Sequence, residues 1–258
     1  MKPKHLILTL LSLFSLNSCN NDDDSDKVRI NLLKTVEVIY PTSSLSNYTL
    51  SITYNDDNNI QTVSRTLADN SVYLFTCDYT TTKKLSTVTI ESPTGDLRSV
   101  AFQYTPQDIL FRIEDTVDGV TTPYDINYNS VENFYSSLNR TWFFDASNNF
   151  EGYFFSSEAA HTFEYSNSKG IESLGIYIPM LIYETINGLG FASDLNFLSP
   201  NQMTNSIFEE LGPGAITINY NYTNNINSKG LLSTSTTYIN DDSNIFSTKT
   251  YTYETIFQ

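Results

Sequence analysis

The sequence predicts an all-β fold: a curved antiparallel meander, sandwich or half-barrel-like, with one short helix near residues 200–211. Three observations lead to this prediction. Strand-forming residues are abundant, with 18 Tyr and 16 Phe among 258 residues, and only 17% of the chain is charged. Apolar residues alternate with small polar ones, as at Leu50, Ile52 and Tyr54, which is typical of a strand with one buried face. Clusters of Asn, Asp, Ser and Gly separate these runs and supply turn chemistry.

The first residues are organised like a secretory signal peptide. Residues 1–4 are basic, residues 6–16 are apolar, and a short polar stretch leads to Cys19. The apolar run is shorter than the roughly 20 residues that a membrane-spanning helix needs. Leu16-Asn17-Ser18-Cys19 resembles the lipobox of bacterial lipoproteins. This resemblance implies a signal peptide over residues 1–18 and acyl chains such as palmitate on Cys19, which would hold the protein at the outer membrane.

An acidic segment follows Cys19 and extends over residues 19–30. A block of like charges does not bury itself, so the segment is expected to be a solvated tether. It also resembles the export signal of Bacteroidota lipoproteins, an acidic tract beside the acylated cysteine. That resemblance implies a location on the cell exterior; the alternative is the periplasmic face of the outer membrane.

The remaining residues, 31–258, are predicted to form a single β-rich domain with a helical insertion around residues 176–214. If Cys19 carries lipid, Cys77 is the only other cysteine, and an intramolecular disulfide is excluded. The stability of the domain must then come from packing, which its many aromatic side chains can supply.

A weak repeat runs through this domain. Tyr54, Tyr79 and Tyr104 are spaced 25 residues apart, and each is followed by about five turn residues and then an aliphatic residue. The pattern resembles the β-hairpin repeats of the YD/RHS type, which are common in secreted Bacteroidota lipoproteins of unknown function. The resemblance covers roughly residues 45–255, and it implies a long antiparallel meander without known catalytic residues.

The predicted helix interrupts the repeat. Ser199 can cap a helix, Pro200 suits its first position, and Gln202 completes a capping box. Apolar residues then follow four apart, at Met203, Ile207 and Leu211. A Gly-Pro pair ends the segment. We expect this helix to pack against the sheet, because its apolar face needs a partner.

The composition excludes several classes of function. A formal net charge of −15 and the lack of a basic stripe exclude nucleic acid as a partner. His161 is the only histidine after residue 18, so a zinc site lacks ligands, and no cofactor is expected. A carboxylate enzyme of the glycoside hydrolase type remains an alternative. Its candidate acids are Glu114, Asp115, Glu132, Glu151, Glu164 and Glu172.

Two aromatic triplets point to binding instead. Residues 142–144 read Trp-Phe-Phe and residues 153–155 read Tyr-Phe-Phe, so at least one member of each should point outward from a strand. The alternative is a strand buried on both sides. The candidate ligand contacts are Trp142, Phe144, Tyr153 and Phe155. The sequence thus favours a non-catalytic, lipid-anchored surface module that binds a glycan or an envelope or partner protein. A carboxylate enzyme and a purely structural envelope lipoprotein are the alternatives.

Overall fold

The computed structural model describes residues 29–155, 159–171, 176–187 and 199–257. Cys19, the signal peptide over residues 1–18 and most of the acidic tether lie outside the described residues. The chain divides into a large unit, Leu33–Tyr253, and a small one made of Met1–Leu32 and Glu254–Gln258. Within the small unit, the Thr255 hydroxyl donates a hydrogen bond of 2.9 Å to Oδ1 of Asn31.

Seventeen strands, one α-helix and one short 3-10 helix are found among the described residues. The first nine strands are β1 (Arg29–Ile39), β2 (Tyr48–Tyr54), β3 (Ile60–Leu67), β4 (Val72–Tyr79), β5 (Leu85–Glu91), β6 (Leu97–Tyr104), β7 (Leu110–Val117), β8 (Val120–Asp125) and β9 (Asn127–Asn129). The others are β10 (Phe134–Ser137), β11 (Arg140–Phe144), β12 (Phe150–Phe155), β13 (Ala159–Lys169), β14 (Asn201–Glu210), β15 (Thr217–Ile226), β16 (Leu232–Ile239) and β17 (Ile245–Phe257). The helix α1 is Tyr177–Asn187, and the 3-10 helix is Ser44–Ser46.

The strands form one antiparallel sheet in which neighbours along the chain are neighbours in space. Each strand from β1 to β7 pairs with the next, and so does each strand from β9 to β16. β8 and β9 act as one interrupted strand, because the Ile126 amide between them donates to the Phe111 carbonyl of β7. β1 also pairs with β17, and the hydroxyls of Thr35 and Thr252 lie 2.6 Å apart across that pairing. Within the large unit the sheet is therefore nearly closed and barrel-like, and the predicted all-β antiparallel meander is confirmed.

The two faces of the sheet differ in chemistry, as the alternating pattern predicts. Inward-facing residues such as Leu50, Val100 and Ile113 are fully buried. Hydroxyl pairs line the outward face: Thr53 with Thr62 at 2.7 Å, and Thr116 with Thr121 at 2.8 Å. Period-two alternation thus directs aliphatic and aromatic side chains inward and hydroxyls toward water.

In the part of the chain that the structure describes, seven hairpin loops share one five-residue geometry. In the first, the Asn55 amide donates to the Asn59 carbonyl, the Asn58 amide donates to the Asn55 carbonyl, and Asn58 has φ +62°. The loops are residues 55–59, 67–71, 80–84, 92–96, 105–109, 145–149 and 227–231. The fourth residue has a positive φ in every one of them. This is a type I turn followed by a left-handed residue, which explains why Asn, Asp and Gly dominate that position.

Lys83 is the exception at the fourth position, and it predicts a stabilising substitution. Its φ of +63° disfavours an ordinary side chain, whereas Asn occupies the same position in the loops 55–59, 67–71 and 145–149. We expect Lys83→Asn to raise the free energy of unfolding by about 0.5 kcal/mol in urea titrations, since the Lys83–Asp57 ion pair that it removes is exposed. Lys84→Asn, one residue later, makes the same charge change and should give no gain. Equal stability of the two variants would contradict the argument.

In several hairpins, the hydroxyl of a tyrosine near the end of the second strand donates a hydrogen bond to a backbone carbonyl of the first strand. The Tyr79 hydroxyl donates to the Ile60 carbonyl at 2.7 Å, and the Tyr104 hydroxyl donates to the Leu85 carbonyl at 2.9 Å. Tyr54, Tyr165 and Tyr253 make the same kind of bond, to the carbonyls of Leu33, Phe150 and Leu232. The 25-residue spacing of the tyrosines thus corresponds to a recurring hydrogen bond between the end of one strand and the preceding strand of the same hairpin.

The prediction of a helix at residues 200–211 is wrong, because this segment is strand β14. Its backbone pairs with β13 on one side and β15 on the other. A spacing of four also places residues on one side of a strand, so the apolar positions 203, 207 and 211 do not distinguish the two structures. Ser199 does not cap a helix: its hydroxyl donates to the Asn201 carbonyl at 2.6 Å.

The single described α-helix, α1, comes from the apolar stretch that precedes this strand. Eight of its eleven residues are buried, including Pro179, which lies in the first turn, where proline is tolerated. Residues 176–183 form an almost continuous apolar run interrupted by one proline, and a short run of this kind does not by itself distinguish a buried helix from a buried strand. No helix among the described residues is both long enough and apolar enough to span a membrane.

Candidate functional site

Helix α1 packs against the inward face of the sheet and is fixed there by polar contacts. The Trp142 indole N–H donates to Oγ1 of Thr185 at 2.6 Å, and the hydroxyl of Thr185 in turn lies 3.0 Å from the Leu181 carbonyl. Arg140 donates to the Ile186 carbonyl at 3.1 Å, which satisfies one of the carbonyl groups that a helix end leaves without an intrahelical donor. The helix is thus a fixed part of the interior.

A buried ion pair supports the same helix from β6 and β7. The Arg98 guanidinium donates twice to the Asp115 carboxylate, once through Nε at 2.7 Å and once through Nη2. Their side chains are 21% and 5% exposed. The guanidinium also lies 5.4 Å from the ring centre of Tyr183 on α1, and the Asp115 bond raises the pKa of Arg98. Asp115 therefore forms a structural ion pair with Arg98.

A cavity of about 270 Å³ lies within the large unit, between α1 and the inward face of the sheet. Its aromatic lining consists of Tyr40, Phe150, Tyr153, Phe163, Tyr220, Tyr222 and Phe246 together with the imidazole of His161. Four hydroxyl side chains and one cation also reach it: Thr185, Ser206, Thr237, Ser247 and Lys249. The cavity therefore combines apolar ring faces with groups that both donate and accept hydrogen bonds.

The rings around His161 form a continuous aromatic wall. The His161 ring centre lies 5.6 Å from that of Tyr153 and 6.4 Å from that of Tyr220. Tyr220 continues to Phe246 at 5.8 Å, and Tyr153 is stacked on Phe150 with an interplanar angle of 8°. Four strands (β12, β13, β15 and β17) contribute these rings, and the order and curvature of the sheet over β12–β17 bring them together.

His161 is the most unusual group of the cavity. Its Nε2 atom is buried and has no hydrogen-bond partner among the described residues. Burial lowers the pKa of His161 to about 4, because removal from water disfavours the charged imidazolium. The side chain is therefore neutral at physiological pH and offers one ring nitrogen as a donor and the other as an acceptor.

The four aromatic residues predicted as ligand contacts have different surroundings. Trp142 and Phe144 are fully buried on the inward side and do not line the cavity, whereas Tyr153 does line it. Phe155 is half-buried, and the Arg140 guanidinium lies 4.3 Å from its ring centre. The outward members of the two triplets are Phe143 and Phe154, whose ring centres lie 5.5 Å apart.

The candidate catalytic acids are not gathered at the cavity. Glu114 pairs with Arg112 at 2.9 Å, and Glu132, Glu151 and Glu164 are exposed. Glu172 lies outside the described residues. In the described part of the chain, no group of three or more His, Cys, Asp and Glu side chains is placed to hold a metal ion. Burial raises the pKa of the Cys77 thiol to about 12, so this cysteine is not an activated nucleophile.

Most of the cavity was not predicted from the sequence. Tyr220 and Tyr222 belong to a run in which apolar or aromatic residues alternate with polar ones, which indicates only a strand, and Ser206 falls in the segment predicted to be helical. Ser247 and Lys249 carry no local signal. The one usable indication was the alternation itself, since Tyr220 and Tyr222 share a face and that face is the inward one.

Comparisons with known proteins give distant structural similarities. No family model matches the chain. No curated protein matches it either.

A porin-like protein from Bacteroides uniformis is 15% identical with a TM-score of 0.41, and the match covers 86% of this chain and 98% of that one. A porin-like protein from Bacteroides vulgatus is 9% identical with a TM-score of 0.43, at the same coverages. A Tc holotoxin pore from Photorhabdus luminescens matches 78% of this chain and 9% of its own, at 13% identity and a TM-score of 0.18. Similarities at these scores carry no argument about function.

Proposed function

We propose that this protein is a non-catalytic binding protein of the outer membrane, anchored through acyl chains on Cys19, whose interior cavity holds a small ligand. The observation that carries the proposal is the cavity of about 270 Å³ with its aromatic and hydroxyl lining. Ligand sites are typically concave, largely apolar and equipped with a few fixed polar groups, and this cavity has all three properties.

The arrangement of charged groups supports binding over reaction. Asp115 is engaged by Arg98, and Glu114 is engaged by Arg112. Among the described residues that line the cavity, none carries a carboxylate. A glycoside hydrolase of the usual kind needs two carboxyl groups flanking one bond, so nothing in this lining favours that chemistry.

The sequence supports the proposed location. Residues 1–18 have the organisation of a lipoprotein signal peptide, and the acidic run after Cys19 favours the cell exterior. The outward hydroxyl pairs Thr53–Thr62 and Thr116–Thr121 suit an aqueous surrounding beside the membrane. Two or more acyl chains would hold such a domain firmly, because each buried methylene contributes about 0.8 kcal/mol.

Ligand binding is tested with the full chain in lipid nanodiscs and a chemically diverse library of small molecules. We expect some compounds to raise the melting temperature of the native protein, because a ligand that binds only the folded state stabilises it. The same compounds should not stabilise Ser247→Leu, which fills the cavity, but should still stabilise Phe208→Leu, because Phe208 does not line the cavity. A library without a single stabilising compound would overturn the binding proposal.

The location is tested by protease shaving of intact cells, with lysed cells as the control. Loss of the protein from intact cells is the expected result for a surface lipoprotein. Protection in intact cells and loss in the lysate would place the domain on the periplasmic face. Cys19→Ala should release the protein from the membrane fraction, and retention of that variant would contradict the lipid anchor.

A further inference from the structure

We propose that the cavity is a site for one neutral pyranose-sized sugar ring and that His161 supplies a hydrogen bond to one of its hydroxyl groups. This inference rests on the proposed function, since it names the ligand class of the same cavity. Its evidence is the size of the cavity, the aromatic wall, the hydroxyl groups and the buried imidazole nitrogen.

The size of the cavity limits the ligand to a single ring. A volume of about 270 Å³ lies just below the range of roughly 300–1,000 Å³ that holds drug-sized molecules. An extended peptide or a full acyl chain is too long for such a space. A six-membered ring with short substituents fits the volume.

The aromatic wall suits the face of a sugar. Tyr153, His161, Tyr220 and Phe246 follow one another with ring centres 5.6–6.4 Å apart. The face of an aromatic ring carries partial negative charge, and the C–H groups on the face of a pyranose carry partial positive charge. Stacking of a sugar ring against this wall therefore adds electrostatic attraction to the burial of apolar area.

The hydroxyl groups around the wall match those of a sugar. Oγ of Ser206 lies 3.1 Å from the Tyr222 hydroxyl, and Thr237 and Ser247 reach the same cavity from the neighbouring strands β16 and β17. A hydroxyl both donates and accepts hydrogen bonds, and so does each hydroxyl of a pyranose. A purely apolar ligand would leave the hydrogen-bonding capacity of these groups unused, whereas a sugar hydroxyl can both donate to them and accept from them.

His161 is the group that points to a ligand most directly. Its Nε2 is buried without a hydrogen-bond partner among the described residues, which costs stability in the free protein. A ligand hydroxyl in the cavity would satisfy this nitrogen. Lys249 is the one charged side chain among the described residues that line the cavity, and the other polar lining groups are mostly uncharged hydroxyls, which favours a hydroxyl-rich ligand over a charged one.

The test measures binding to the full chain in nanodiscs by titration calorimetry. The probes are the methyl glycosides of glucose, galactose, mannose and N-acetylglucosamine, with glucuronate as the charged analogue and toluene as the apolar one. We expect at least one methyl glycoside to bind and glucuronate to bind at least tenfold more weakly. The sugar is either a free monosaccharide or the terminal unit of a longer glycan, and an oligosaccharide ending in the same unit distinguishes the two. Equal binding of the oligosaccharide identifies a chain terminus as the ligand, and loss of binding identifies a free monosaccharide.

His161→Phe keeps an aromatic ring and removes both nitrogens. We expect it to weaken glycoside binding at least tenfold and to raise the melting temperature of the free protein, because the unsatisfied polar atom is gone. Phe208→Leu is the control: Phe208 lies 5.9 Å from the His161 ring but does not line the cavity, so binding should be retained. A folding defect in His161→Phe would lower the melting temperature instead, which distinguishes it from loss of a ligand contact.

The outcomes separate this inference from the proposed function. Binding of toluene or of glucuronate in preference to every glycoside would overturn the sugar assignment and leave a ligand-binding protein. Unchanged glycoside affinity in His161→Phe would overturn the role of His161. Lack of binding to any probe, together with an unproductive library screen, would overturn both proposals.

Discussion

Asp115→Ala should lower the free energy of unfolding by about 2–3 kcal/mol, measured by urea denaturation at neutral pH. Asp115 is 5% exposed and accepts two hydrogen bonds from Arg98. Its removal leaves a largely buried guanidinium without its carboxylate partner, and that unpaired charge is the main source of the loss. The Tyr183 ring beside the guanidinium cannot replace the carboxylate, because a cation over an aromatic ring is stabilised by only about 0.5–2 kcal/mol.

Two further variants test the cause of this loss. The double variant Arg98→Met with Asp115→Leu removes both charges, and it should recover most of the lost stability, because an apolar pair of similar volume tolerates burial. Asp57→Ala breaks an ion pair whose side chains are 60% and 62% exposed, and it should change stability by about 0.5 kcal/mol or less. A loss in Asp57→Ala equal to that in Asp115→Ala would contradict the argument from burial.

Acidification should destabilise the protein through His161. The folded-state pKa of about 4 lies below the ordinary value of 6.5, so between these values the unfolded chain binds a proton that the folded chain does not. The loss of stability through this proton uptake is therefore small above about pH 6.5 and grows as the pH is lowered. The expected loss between about pH 7 and about pH 5 is roughly 2 kcal/mol.

The measurement is the free energy of unfolding against pH for the native chain and for His161→Phe. The difference between the two curves should follow the titration of one histidine. Burial raises the pKa values of Tyr153 and Tyr220, which also line the cavity, so neither of them changes charge in this interval. Hydrogen bonds from Ser71 and Ser243 lower the pKa values of Asp69 and Asp241, so these two carboxylates change charge below this pH interval. Parallel curves would show that His161 is not the source.

Helix and strand assignments succeeded where the signal is local. The hairpin loop at residues 55–59 was recognised from its Asx residues, because a left-handed fourth residue and a side-chain acceptor in the first position favour those types. Alternation at Leu50, Ile52 and Tyr54 likewise predicted β2 and its buried face. The prediction of a helix at residues 200–211 failed for two reasons. A spacing of four residues is compatible with both a helix and a strand, and the residues expected to cap the helix make other hydrogen bonds.

The sequence by itself determined that this chain forms antiparallel hairpins with an apolar side and a hydroxyl side, since alternation and turn sterics act within a few neighbouring residues. Only the tertiary structure decided that β14 is a strand, that the apolar stretch over α1 is a helix, and that His161 lies among Tyr153, Tyr220 and Phe246. These outcomes depend on pairing and burial between residues up to about a hundred positions apart. No local pattern encodes them, because their free energy arises only when the sheet closes around the helix.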